Sequence, residues 1–227
     1  MATSGTHTFN LDISDIMEEA YDLCGLELRS GYSFRGAKRA LNLVFLEWQN
    51  KGLNLWTVEQ ATIPLVQGTA TYDLPTTTID LISQVIRTGT GTTQSDITIS
   101  RISNPTYASI PSKNDAGRPI QVYIDRQAAV PKITLWPIPN DGSYTFVYWF
   151  LKRIDDAGTG VNTQHIPFRF LPCMVAGLAY YLAMKNAPTL VQQNKLIYED
   201  QLKRALDEDG QRASTFITPQ SFYPNGI

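Results

Sequence analysis

The chain has 227 residues, 43% of them apolar and only 18% charged, with 19 bases against 21 acids for a net charge of −2. That apolar content supports one large domain or two small ones and excludes a disordered tail. The near-neutral balance excludes a protein that coats nucleic acid or anionic lipid by charge, and two cysteines exclude a disulfide-stapled mini-protein.

Residues 1–10 are polar and lack the basic-then-apolar pattern of a signal peptide. Residues 12–25 read as a first helix. Ile13, Ile16, Met17, Ala20, Leu23 and Cys24 recur at helical spacing, Asp12 caps the start and Gly25 ends it. Residues 33–51 read as a second helix. Ser33 caps it, Phe34, Ala37, Leu41, Val44, Phe45 and Trp48 form one face, and Gly52 follows at the stop.

From Asn54 the pattern changes to β. Strands are predicted over 56–65, 71–74, 79–87, 96–102, 121–126, 132–137 and 144–152, from their β-branched and aromatic content. Turn residues such as Gly68, Gly89, Gly117 and Asn140-Asp141-Gly142 separate them. Strands at this spacing predict an antiparallel sandwich or small barrel. Pro137 and Pro139 must then lie at strand ends or edges, because proline lacks a ladder donor.

A Gly/Thr linker over 157–164 leads to a third helix over 167–186 and a fourth over 188–209, with Pro188 in its first turn and Gly210 at its end. The third carries 15 uncharged residues, Phe170 to Met184, between Arg169 and Lys185. A membrane span needs about 20, so this segment is a buried helix. It is apolar on nearly every side and must be covered on every side. The cover is either the rest of this chain or a second subunit. Val191, Tyr198, Leu202, Ala205 and Leu206 form the stripe of the fourth helix.

The fold class is therefore α+β. A four-helix bundle is built from both termini, residues 1–52 and 165–210. An antiparallel β-sandwich or barrel, residues 53–164, is inserted between helices 2 and 3. Residues 211–227 form an extended C-terminal tail. The last 15 residues hold no charged side chain but include Phe216, Ile217, Phe222 and Tyr223 beside Pro219 and Pro224. Such a strip suits strand addition or groove docking on a partner.

The residues show no enzyme signature, and no cofactor or metal is expected. Gly89 and Gly91 are not followed by Gly-Lys-Ser/Thr, so they are not a phosphate loop, and no nucleophile elbow is present. Asp155 and Asp156 begin a segment without the terminal acid of a calcium loop and read as a polar turn. His7 and His165 lack companion ligands. Cys24 and Cys173 lie on apolar helix faces and read as buried thiols, expected in a reducing compartment.

Charge is more informative as surface. The first helix carries Asp12, Asp15, Glu18, Glu19 and Asp22 without one base. The second begins with Arg35, Lys38 and Arg39, where bases oppose the helix dipole. These bases are expected to meet acids, on the first helix or on a neighbouring subunit. A phosphate backbone is the weaker third option.

Several runs resemble the head–tail adaptor proteins of short-tailed phages, also called tail tubular protein A or gatekeeper proteins. Residues 37–42 leading to Glu47-Trp48-Gln49-Asn50-Lys51-Gly52-Leu53 are similar to the family's second helix and its Gly turn. Arg101-Ile102-Ser103, Tyr107, Ile110-Pro111-Ser112-Lys113, Gly117-Arg118-Pro119 and Leu135-Trp136-Pro137-Ile138-Pro139 look like a run found in phage virion proteins. Residues 167–209 resemble its paired C-terminal helices.

The resemblance implies a virion structural protein at the head–tail junction, made in the host cytoplasm. It implies a homo-oligomeric ring, of twelve copies, below the portal protein. Genomic DNA would pass through the ring without specific binding, and no membrane is involved. The tail with Phe216, Ile217, Phe222 and Tyr223 would bind the portal. The β region would contact the tail nozzle or fibres. Asp15, Glu18, Glu19 and Asp22 would meet Arg35, Lys38 and Arg39 between subunits. The alternatives are another tail-completion or nozzle component, or a carbohydrate-binding β module. The latter would stack sugars on Tyr107, Tyr123, Trp136, Tyr148 and Trp149.

Overall fold

The structure, a computed structural model, describes residues 5, 11–29, 31–51, 55–126, 129–159, 161 and 166–209. It is a mixed α+β fold of five α-helices and ten strands among these residues.

Helix α1 spans Ile13–Asp22. Asp12 caps it as its spacing predicts, and the cap is reciprocal: the Asp15 amide donates to Asp12 Oδ1 at 2.9 Å and the Asp12 amide to Asp15 Oδ2 at 3.2 Å. The chain leaves the helix through Gly25 at φ +66°, a left-handed position that glycine adopts without a Cβ penalty. Helix α2 spans Gly31–Asn50. It starts two residues earlier than expected, so Ser33 lies inside the first turn rather than capping it. Gly52, the expected stop, lies outside the described residues.

The β region opens with a single 3₁₀ turn, Leu55–Thr57. The strands that follow are β1 (Val58–Pro64), β2 (Thr71–Asp73), β3 (Thr78–Thr88), β4 (Ser95–Thr98) and β5 (Ser100–Ile102). A short helix, α3 (Asn104–Ala108), comes next. Then come β6 (Ala116–Gly117), β7 (Gln121–Asp125), β8 (Lys132–Trp136), β9 (Ile138–Pro139) and β10 (Thr145–Lys152). Two four-stranded sheets run β1-β10-β3-β4 and β2-β8-β7-β5, and β6 pairs with β9. No closed barrel exists among the described residues, which removes that half of the expectation.

The structure departs from the predicted elements in three further places. The run 96–102 is not one strand. It divides at buried Ile99, so that β4 joins the first sheet and β5 the second. Gln84 holds the crossover by donating its side-chain amide to the Ile99 carbonyl at 3.0 Å. The sheets are not wholly antiparallel, because β5–β7 and β6–β9 pair in parallel. Helix α3 was not expected, yet its start has a local signature: Ser103 Oγ accepts the Thr106 amide and Pro105 sits in the first turn. Pro137 and Pro139 follow β8 and end β9, as ladder chemistry requires.

Alternate residues of the two sheets, among them Val122 and Ile124, Ile133 and Leu135, and Phe146, Tyr148 and Phe150, share one apolar core. At its margin Asp80 on β3 ion-pairs with Arg101 on β5 and with Arg126, both at 2.9 Å. This bridges one sheet to the other.

After β10 the chain returns across α2. The Ala157 amide donates to Asn42 Oδ1 at 2.8 Å. A 3₁₀ turn, Phe168–Phe170, precedes α4 (Leu171–Asn186), and another, Pro188–Leu190, precedes α5 (Val191–Asp209). The expected third and fourth helices thus each begin with a tighter turn. Helices α1, α2, α4 and α5 share a second core, to which Trp56 and Ile154 also pack. Helix α4 is its centre and touches the other three. Nine of its residues are buried. Most of its apolar surface is therefore covered inside this chain, with Met184 near its end left 45% exposed.

Candidate interaction surfaces

Helix α2 presents its bases on a groove of about 350 Å³ lined by Tyr32, Arg35, Lys38 and Arg39. Arg35 Nε donates to the Gly31 carbonyl at 3.4 Å. On α1, Asp15, Glu18, Glu19 and Asp22 are all exposed. Among the described residues, no ion pair joins these acids to these bases. Among the described residues, these two helices therefore do not neutralise each other within one chain. Asp15 is occupied instead by the reciprocal cap with Asp12.

A second groove, of about 220 Å³, lies between α2 and the returning chain, with Phe45, Leu46 and Ile154 as its apolar wall and Asp155 and Asp156 on its rim. Among the described residues, no cluster of three or more His, Cys, Asp or Glu side chains could hold a metal. No described helix is long and apolar enough to cross a membrane. His7, His165 and the tail residues Phe216, Ile217, Phe222 and Tyr223 lie outside the described residues.

The two thiols are buried. Burial pushes Cys173 up to about 12, and Cys24 is raised for the same reason. Cys24 Sγ donates to the Ala179 carbonyl at 3.2 Å. A thiol held protonated is a poor nucleophile.

The aromatic residues considered for sugar stacking are mostly engaged internally. Tyr107 stacks on Tyr123 at 5.6 Å between centroids, with Lys113 Nζ 5.6 Å from the Tyr107 ring. Trp136 Nε1 donates to the Ser112 carbonyl at 2.9 Å. Tyr148 is in the β core at 1% exposure, and Trp149 is half-buried. No row of open ring faces remains among these five.

A polar network that the sequence does not announce ties α2 to α4 and α5. Trp48 Nε1 donates to the Tyr198 hydroxyl at 3.0 Å. The Tyr181 hydroxyl donates to Glu47 Oε2 at 3.1 Å, and Lys51 Nζ sits 2.6 Å from Glu47 Oε1. The two hydrogen bonds join residues 150 and 134 apart in sequence, so no local pattern could reveal them. Burial, then the Glu47 carboxylate, raises Tyr181 to about 12, and burial raises Tyr198 further.

An unfolded tyrosine ionises at about 10, so above that pH the folded state holds protons the unfolded state has lost. Stability is complete below about pH 10 and falls as pH rises towards and through about 12. The urea midpoint, read by circular dichroism, is expected to fall steadily between pH 10 and 12. A flat midpoint across that interval would refute this coupling.

Two apolar cores and two charged helix faces, whose acids and bases form no ion pair with each other among the described residues, are the features these residues offer to a partner. The family model for SU10 adaptor protein matches residues 12–221. The chain belongs to the SU10 adaptor protein family, and with it to the phage head–tail adaptors, virion proteins with a structural role. No curated protein sequence matches the chain.

Proposed function

We propose that the chain is a head–tail adaptor of the tail tubular protein A or gatekeeper type. Copies assemble into a ring, with twelve members, that joins the portal to the tail nozzle or fibres and surrounds the DNA channel during ejection. The observation that supports the adaptor part of this reading is the family match across residues 12–221. The charge distribution supports it: a net charge of −2 leaves a conduit that does not retard DNA through phosphate contacts.

Residues 1–52 and 165–210 act as a helical bundle, 53–164 as an inserted sandwich and 211–227 as the tail. The separate apolar cores support this division. Asp15, Glu18, Glu19 and Asp22 on one subunit face Arg35, Lys38 and Arg39 on another. Phe216, Ile217, Phe222 and Tyr223 dock on the portal as an extended apolar strip.

Deleting residues 213–227 tests the tail assignment. The truncated chain is expected to keep its circular dichroism spectrum and to lose binding to purified portal in a pull-down. Undiminished binding would sink the assignment. A particle image with this chain traced at the portal gives the ring number directly.

A further inference from the structure

The faces of α1 and α2 that carry the unneutralised charges are single helical stripes. On α2, Tyr32, Arg35, Arg39, Leu43 and Leu46 recur at three- and four-residue steps, so they share one side of the helix. All five are exposed, Leu43 by 47% and Leu46 by 54%. On α1, Asp15, Glu18 and Asp22 recur in the same way, and Leu11 continues the line just ahead of the cap. These four are exposed as well.

The two stripes have the same length. Leu11 to Asp22 and Arg35 to Leu46 each cover eleven residue steps, of which Ile13 to Asp22 on α1 and all of Arg35 to Leu46 on α2 are helical, about 14 and 16 Å. Laid antiparallel, Asp22 meets Arg35, Glu18 meets Arg39 and Leu11 meets Leu46. Laid parallel, Asp22 falls on Leu46 and Leu11 on Arg35, which leaves charge against apolar surface on both ends. The antiparallel arrangement matches two acids to bases and leucine to leucine, with Asp15 beside Leu43, whereas the parallel one matches only Asp15 to Arg39. It also brings Leu11 to the groove walled by Phe45, Leu46 and Ile154.

The dipoles agree. Arg35 stands in the first two turns of α2 and Asp22 at the last residue of α1, each at the helix end that disfavours its charge. Pairing relieves both.

We infer that α1 of one copy docks antiparallel on the outer stripe of α2 of the next copy, with Glu18 opposite Arg39 and Leu11 opposite Leu46. The contact is heterologous, because two different faces of one chain meet, and a heterologous contact repeats into a ring when its rotation closes. The leucines supply burial, while the charge pairs set direction and register. This deepens the adaptor reading and rests on it for the ring.

Chains that each carry one added surface cysteine test the register, since the native Cys24 and Cys173 are buried. A chain with Leu11→Cys mixed with a chain carrying Leu46→Cys is expected to give a covalent dimer with a short bis-maleimide. A mixture of Asp22→Cys with Leu46→Cys is expected to give little. Adding Arg39→Glu to the Leu46→Cys chain lowers the yield by about tenfold, as like charges meet, and adding Glu18→Arg to the other chain restores it. These sites are exposed, so melting curves should not move. The reverse yields, cross-linking of the Leu46→Cys chain with itself, or no cross-link on the free chain or on assembled particles would overturn the inference. A particle ring with a different seam refutes this contact and leaves the adaptor reading standing. Cross-links as expected from a chain that never binds portal refute the adaptor reading alone.

Discussion

Replacing Trp48 with alanine is expected to destabilise the chain by about 3–5 kcal/mol, the range for emptying a large aromatic site in a core. Trp48 has no solvent exposure and packs against Phe45 and Phe170 at centroid distances of 6.1 and 5.7 Å. Its ring lies where α2, α4 and the turn before α4 converge, so the cavity cannot close by moving one element. Its indole N–H also donates to Tyr198, whose hydroxyl would face that cavity. Trp48→Phe separates the two effects. It retains most of the volume and loses the hydrogen bond, a difference of about 1 kcal/mol for a neutral pair. For a chain of this size the alanine variant should melt roughly 10 °C lower. Equal melting temperatures for the two variants would show that packing is not what Trp48 contributes.

The second large effect is expected at Gly177, in the middle of α4. Glycine there costs about 1 kcal/mol in helix propensity relative to alanine, so Gly177→Ala would stabilise the chain if propensity decided. Contact distances reverse the sign. A Cβ at this position would stand 2.9 Å from Tyr198 Cε2 and 3.2 Å from Val44 Cγ1. The Tyr198 ring cannot swing away freely, because Trp48 holds its hydroxyl and Tyr180 stacks on it at 6.2 Å. Gly177→Val drives two further methyl groups into that space. A loss of about 3 kcal/mol is expected, at the upper end for overpacking, with a lowered urea midpoint as the readout. A stabilised alanine variant would show that α4 and α5 separate without strain.

The helices were legible where one face repeats. Ile13, Ile16, Met17 and Ala20 follow the helical period and all four are buried. Asp12 and Gly25 mark α1's ends because a cap and a left-handed exit need those residue types. Strand β10 was legible for the same kind of reason, with Phe146, Tyr148 and Phe150 alternating into the core. The division at Ile99 was not. A continuous β pattern does not say which sheet each half joins, and Gln84, which holds the crossover, lies fifteen residues away. The two-residue strands β6 and β9 were invisible because so short a segment has no period.

The candidate surfaces were half legible. The acids of α1 and the bases of α2 stand out in the sequence by their segregation. Whether they neutralise each other depends on where α2 lies relative to α1, and no spacing rule encodes that. The Glu47, Trp48, Tyr181 and Tyr198 network had no sequence signal, since its members meet only when α4 and α5 close on α2.

The sequence by itself determined the order of helix, strand and helix, the shortage of charge and the requirement that α4 be covered on every side. Those are consequences of composition and period, which act within a few residues. Only the tertiary structure decided who covers α4, which sheet each strand joins and which charges remain without a partner. Each of those depends on contacts between segments far apart in the chain, where packing, not local preference, selects the partner. Most of the cover of α4 came from α1, α2 and α5 of the same chain, and so the surface left for neighbours is the outside of the helices, where charges and exposed leucines alternate, not their apolar centre.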